Sequence, residues 1–262
     1  KPIVSFRWVF RAGSIDDPKG KEGLTALTAE LMASGGTKAL SSAELQQVLF
    51  PMAAEIEAFT DKELTAFTGR THVDNLDRFL DILGDVVLEP RFDPKEFERI
   101  RGDFINIIEN QLRGQDDETL GKVALDALLY EGTPYAHFVG GTVEGLRAIT
   151  LEDVKAHWKN VFTQDRLIIG LAGPVDDALK KEVTDRLSAL PKTGVPRVEL
   201  PELKVQMGRA WIFPRPVLST AISMGYVYGL RRGDPDFFKV AVALSYLGEH
   251  RQFNGVLFTE LR

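Results

Sequence analysis

Hydrophobic and polar positions along this chain follow two different periods. Val4, Phe6, Trp8 and Phe10 fall on one side of a two-residue repeat, with Ser5 and Arg7 on the other, which predicts a half-buried strand over 3–10. The stretch "GLTALTAELMASGGT", residues 23–37, then reads as an amphipathic helix closed by a glycine turn. "SSAE", Ser41 to Glu44, has the spacing of a capping box and predicts a second helix start. "AEIEAFTDKELTAFTGRTHV" predicts two strands joined near Asp61-Lys62. Leu76, Phe79, Leu80, Leu83, Val86 and Val87 carry the clearest helical spacing in the chain, and Glu89-Pro90 ends that helix.

Asp93 as N-cap with Pro94 at the first helical position starts the next helix. It is expected to run to about Arg113 and to bury Phe97, Ile100, Phe104, Ile107 and Ile108. Helices near 117–130, 150–161 and 176–189 and a strand at 166–172 follow. "PKTGVPRVELP", 191–201, has three prolines and no periodicity, so 191–203 reads as a linker between a first domain, 1–190, and the start of a second, 204–262. Beyond it Ile222, Met224, Tyr226 and Tyr228 alternate, and a turn at "RRGDPD" leads to a helix with Asp234 as N-cap and Gly248 near its end. Strand, turn and amphipathic helix thus occur at 3–34 and again at 219–248, which predicts a repeated domain with a second copy cut short. The fold class expected is α+β, with a mostly antiparallel sheet and grouped helices.

Composition narrows the function. With 32 basic and 38 acidic residues the net charge is −6, and no basic cluster offers the phosphate-neutralising surface that nucleic acid requires. The 262 residues contain no cysteine, which removes disulfides, thiolate nucleophiles and thiolate metal sites and fits a periplasmic protein, with the cytoplasm as the alternative. No apolar run approaches the roughly 20 residues that span a bilayer. The opening at "KPIVSF" inside a strand pattern, and the close at "GVLFTELR" inside a helical one, are expected of a fragment.

Four blocks in order resemble the insulinase/pitrilysin family of zinc metallopeptidases, to which the mitochondrial processing peptidases belong. "FRAGSIDDPKGKEGLTALTAEL" is similar to the family's strand, glycine-serine turn and metal-binding helix. "NLDRFLDILGDVVLEPRFDPKEFERIR" resembles the lead into the helix that supplies a metal-ligand glutamate. "TPYAHFVGGTVEGLRAITLEDVKAHWKNVFTQDRLIIGLAGPVD" resembles the stretch before the last helix of the first domain, and "FNGVLFTELR" the second-domain helix with a substrate-binding arginine.

The resemblance implies a His-x-x-Glu-His motif on the first helix, where two histidines one turn apart hold zinc and the glutamate activates its water. Aligned on Gly23-Leu24, those positions fall on Ala26, Ala29 and Glu30, and the first histidine of the whole chain is His72. The third ligand, a glutamate, would fall at Asn106 or Ile107; Glu109 is two residues away, a rotation of about 200° on an α-helix. One carboxylate cannot hold a catalytic zinc, so this chain is expected to carry no metal of its own, with Ala26, Ala29 and Ile107 packing the two helices together.

Other candidate chemistry is weak. His72, His137, His157 and His250 lack metal-pair spacing and read as surface or satisfied polar histidines. The "GGT" at 35–37 and "VGGTVEG" at 139–145 lack the lysine of a phosphate loop and read as turns, and Arg231-Arg232 beside Asp234 reads as a solvated turn. No Ser-His-Asp set is recognisable. Arg262 matches the family arginine that pairs with a tyrosine seven residues later to orient substrate. The glycine-rich loop of some inactive subunits is replaced by "GEHRQ".

What the resemblance implies is a non-catalytic subunit that pairs with an active, zinc-bearing subunit as a heterodimer, or self-associates, and binds peptide through Arg262. Zinc would then sit in the partner. Two alternatives stay open: a purely structural subunit, and a self-sufficient metallopeptidase with unusual ligands.

Overall fold

The computed structural model describes residues 2–199, 208–215, 220–248 and 255–261. The chain forms two compact units, Lys1–Met224 and Gly225–Arg262.

The first unit is built on a four-stranded antiparallel sheet of β1 (Ile3–Phe10), β2 (Glu55–Thr60), β3 (Thr65–His72) and β4 (Leu167–Ala172), ordered β2-β3-β1-β4. The alternation along β1 is realised as expected: Val4, Phe6, Trp8 and Phe10 are buried, and the residues between them face outward. The helices of this unit in chain order are α1 (Leu24–Ser34), α2 (Ser42–Leu49), α3 (Leu76–Leu88), α4 (Pro94–Asn106), α5 (Arg113–Gln115), α6 (Asp117–Leu129), α7 (Val143–Ala148), α8 (Leu151–Val161) and α9 (Asp177–Leu187).

The sheet's inner face and the helices share one apolar core. Phe10, Phe67 and Phe162 meet edge to face with centroids 5.1–6.1 Å apart, and Phe6 lies 5.7 Å from Phe79 of α3. Such ring pairs add to the burial term because the positive edge of one ring meets the negative face of the next. Phe79 fits because β3 has Gly69 beneath it, where a Cβ would stand 2.6 Å from the ring. Gly13, after β1, is fixed by a similar crowding: a Cβ there would lie 2.4 Å from the carbonyl oxygens of Asp61 and Lys62 at the β2–β3 turn.

The local signals named above account for most of these boundaries. Ser41 accepts the Glu44 amide while the Glu44 carboxylate accepts the Ser41 amide, a complete capping box on α2. Asp93 caps α4 through the Lys95 amide at 2.8 Å, with Pro94 in the first turn. Gly248 ends the helix over Phe237–Leu247 with φ of 84°, a conformation that an L side chain resists.

Four expectations need correction. The helix from Pro94 does not run uniformly to Arg113, because Ile107–Leu112 is a π-helical turn before α5. The wider turn changes the register of the face, so Ile108 and Leu112 are buried while Ile107 is 40% exposed and Phe104 is only partly covered. "GGTVEG" is more than a turn: Thr142 accepts the Gly145 amide at 2.9 Å and opens α7. The third correction concerns 220–230, where no strand forms; Ile222, Met224, Tyr226 and Tyr228 are all exposed. Alternation marks a strand only if a neighbour supplies the ladder partners, and none does so among the described residues.

The fourth lies in the second unit, described by α10 (Phe237–Leu247) and α11 (Val256–Leu261), which touch each other. Asp236, not Asp234, is the residue before α10; Asp234 instead accepts the Arg231 amide at 2.7 Å and closes the preceding turn. The architecture is the α+β arrangement expected, helices with a small antiparallel sheet.

Candidate functional site

The segment expected to match the family's metal helix is α1, and it is the central helix of the first unit. It packs on β2, β3, α3, α4 and α8. Leu24, Leu27 and Leu31 follow helical spacing, and alanines and threonines fill the remaining turns, so the helix is buried nearly all round. Its start has no capping side chain at the usual position, which is held by Gly23 with φ of 103°. The carboxylate of Asp17 takes that role from six and eight residues upstream, accepting the amides of Gly23 and Thr25 at 2.7 Å each. A negative group there also complements the positive end of the helix.

At the two expected histidine and glutamate positions, Ala26 is buried, Ala29 is 1% exposed and Glu30 is half-buried. Neither alanine has a side-chain donor atom, and the core closes over both. Zinc requires three protein ligands of nitrogen, sulfur or oxygen in a catalytic site. The residues present do not fit that requirement, since Glu30 is the only ligand type on this face. Ile107 offers no ligand atom either, and the π turn it begins points it outward. Among the described residues no group of three or more His, Cys, Asp or Glu side chains is arranged to hold a metal ion.

A buried polar network lies beside the empty chemistry, at the first turn of α1. Thr25 donates its hydroxyl to Asp17 at 2.7 Å and meets His157 Nε2 of α8 at 2.8 Å. Because the hydroxyl proton is committed to the carboxylate, the imidazole must donate through Nε2. His137 Nε2 adds a fourth contact to the Asp17 carboxylate at 3.2 Å. Burial away from water holds the His157 imidazole below its ordinary pKa, with Asp17 and Asp16 opposing and Arg166 adding to the shift. Alongside, Arg166 pairs with Asp16 at 2.9 Å in an almost wholly buried bridge, and Asp16 also accepts the Gly13 amide. The hairpin tip joins in, as Lys62 donates to the carbonyls of Tyr135 and His137. Desolvation lowers its pKa, against the nearby Asp126, Asp61 and Asp17.

The three described histidines thus behave as satisfied polar groups: His157 and His137 join the Asp17 network, and half-buried His72 contacts Asp74. His250 and Arg262 lie outside the described residues, as does most of "GEHRQ". What the sequence reading missed is Asp17, whose only local sign was the "DD" between strand and helix. No helix among the described residues is long and apolar enough to cross a membrane.

Residues 1–136 match the sequence profile described as insulinase, peptidase family M16, and residues 148–262 match the profile described as peptidase M16 inactive domain. The mitochondrial-processing peptidase subunit beta of Dictyostelium discoideum is 23% identical over 255 residues, which cover 92% of this chain and 51% of that protein. The non-peptidase homolog YmxG of Helicobacter pylori is 26% identical over 193 residues, covering 73% of this chain and 44% of that one. The crystal structure of a peptidase M16 inactive domain from Pseudomonas fluorescens superposes with a TM-score of 0.84 at 22% identity, covering all of this chain and 62% of the other. The chain therefore spans about half the length of these relatives.

Proposed function

This chain belongs to the insulinase family, M16, and on that premise we propose that it is a non-catalytic subunit of an M16 endopeptidase, paired with a subunit that carries the zinc. The observation that carries this reading is the packing of α1: Ala26 and Ala29 stand where two of the three motif side chains are needed, within a closed core. Nine of the eleven residues of α1 are buried, and Ala26 and Ala29 bring no ligand atom to that packing. The name of the Helicobacter pylori relative, a non-peptidase homolog, supports the same reading.

In this role the chain contributes peptide binding in place of hydrolysis. Arg262 is the residue proposed to act, orienting the substrate backbone and stabilising developing negative charge at the partner's metal. A periplasmic location is proposed with it, on the absence of cysteine. The test is reconstitution. Mixed with an M16 subunit bearing an intact His-x-x-Glu-His motif, the protein is expected to raise peptide hydrolysis at least about tenfold, with Arg262→Ala lowering the gain by a similar factor. A mixture no faster than the partner alone contradicts the proposal. A stable complex whose activity ignores Arg262→Ala assigns the chain a structural role instead.

A further inference from the structure

The side chains of 191–195 are all exposed, as a linker's would be, yet the backbone beneath them is held. The carbonyls of Pro191 and Lys192 accept the amides of Gln164 and Asp165, at 2.9 and 3.2 Å, in the turn between α8 and β4. The Val195 amide donates to the carbonyl of Asn160, in the last turn of α8, at 3.1 Å. The Val195 carbonyl in turn accepts Nη2 of Arg166 at 2.9 Å.

Two features show that this contact is fitted and not incidental. Arg166 is 1% exposed, and its Nη1 is committed to Asp16 at 2.9 Å. A guanidinium is a planar fork, so fixing one nitrogen aims the other, here at Val195. Gly194 lies against the end of α8, where a Cβ would stand 1.9 Å from the Asn160 oxygen and 2.7 Å from its carbonyl carbon. Its φ is outside the left-handed region, so the close approach, not the backbone conformation, calls for glycine. The hold stops at Val195. Residues 196–199 form no hydrogen bond or ion pair among the described residues.

We propose that 191–195 is a strap fastened to the first unit, so that the linker expected from Pro191 becomes free to move only from Pro196. Sequence composition does not separate the two halves, because proline and exposed polar residues occur in both. The difference lies in donors and acceptors supplied by α8, Arg166 and the turn between α8 and β4. Neither a metal nor a partner subunit takes part, so the strap stands apart from the non-catalytic reading.

Limited trypsin digestion of the full protein tests this, since cleavage of a held segment tracks the population of its opened form. Lys192 and Arg197 are both exposed and lie on either side of Val195. Rates are normalised to the same two bonds in a synthetic peptide of residues 188–201. In wild type, cleavage after Arg197 is expected to exceed cleavage after Lys192 by at least about tenfold. Gly194→Ala puts a methyl group into the Asn160 carbonyl, detaches the strap and is expected to bring the two rates within about twofold. Equal rates in wild type, or a tenfold difference that survives Gly194→Ala, would overturn the proposal. If Gly194→Ala does not fold, amide exchange on wild type decides, corrected for intrinsic rates. The Val195 amide should exchange at least about tenfold more slowly than those of Arg197 and Val198, and equal exchange would overturn the strap.

Discussion

Asp17 shows how much of a helix start can depend on one side chain that is not its neighbour. Its carboxylate accepts two backbone amides, the Thr25 hydroxyl and a histidine from a distant loop, with no solvent contact. Replacing it leaves those donors buried and unpaired, a cost that exceeds the loss of an exposed cap. Asp17→Ala is therefore expected to lower stability by about 2–4 kcal/mol, read as a shift of the urea midpoint at constant slope, while Asp17→Asn recovers part of it. The residue was not legible in sequence because capping patterns are local, and Asp17 reaches six and eight residues downstream past a proline and two glycines. For Ala26 and Ala29, by contrast, the residue type alone carries the argument, since an alanine side chain has no atom that can ligate a metal.

At the scale of elements, sequence and structure agree where the deciding interaction is local. The capping box at Ser41 is one case, and Ser41→Ala is expected to cost about 1 kcal/mol in the same unfolding measurement, with far-UV helix signal retained. A shift of less than a few tenths would mean that tertiary contacts, not the cap, fix the start of α2. Disagreement falls where the deciding interaction is elsewhere. The π turn at Ile107–Leu112 has the same residue types as an α-helix and differs by one residue per turn, which periodicity over six positions does not resolve. Its consequence is specific: Ile107, expected to seal α1 against α4, faces solvent, and Ile108 and Leu112 take the buried positions. The alternation at 220–230 is real in sequence, yet a strand is a property of a pair of segments, and among the described residues no segment pairs with this one.

For the whole molecule, the order of strand, central helix, hairpin and returning edge strand was readable because each element carries its own period and the core is shared by all of them. Membership of the M16 family rests on matches across most of the chain and not on a catalytic motif. Of the candidate site the sequence gives residue types alone, and the function proposed for Arg262 depends on a metal in another subunit, which no property of this chain specifies. The proposed function requires that α1 keep the position of a metal helix without its chemistry. The most direct test is the zinc content of the purified protein, measured with its peptidase activity before and after chelation. The expected result is zinc far below one atom per chain and no chelator-sensitive hydrolysis. One tightly held zinc per chain, with hydrolysis that chelation abolishes, would contradict the account.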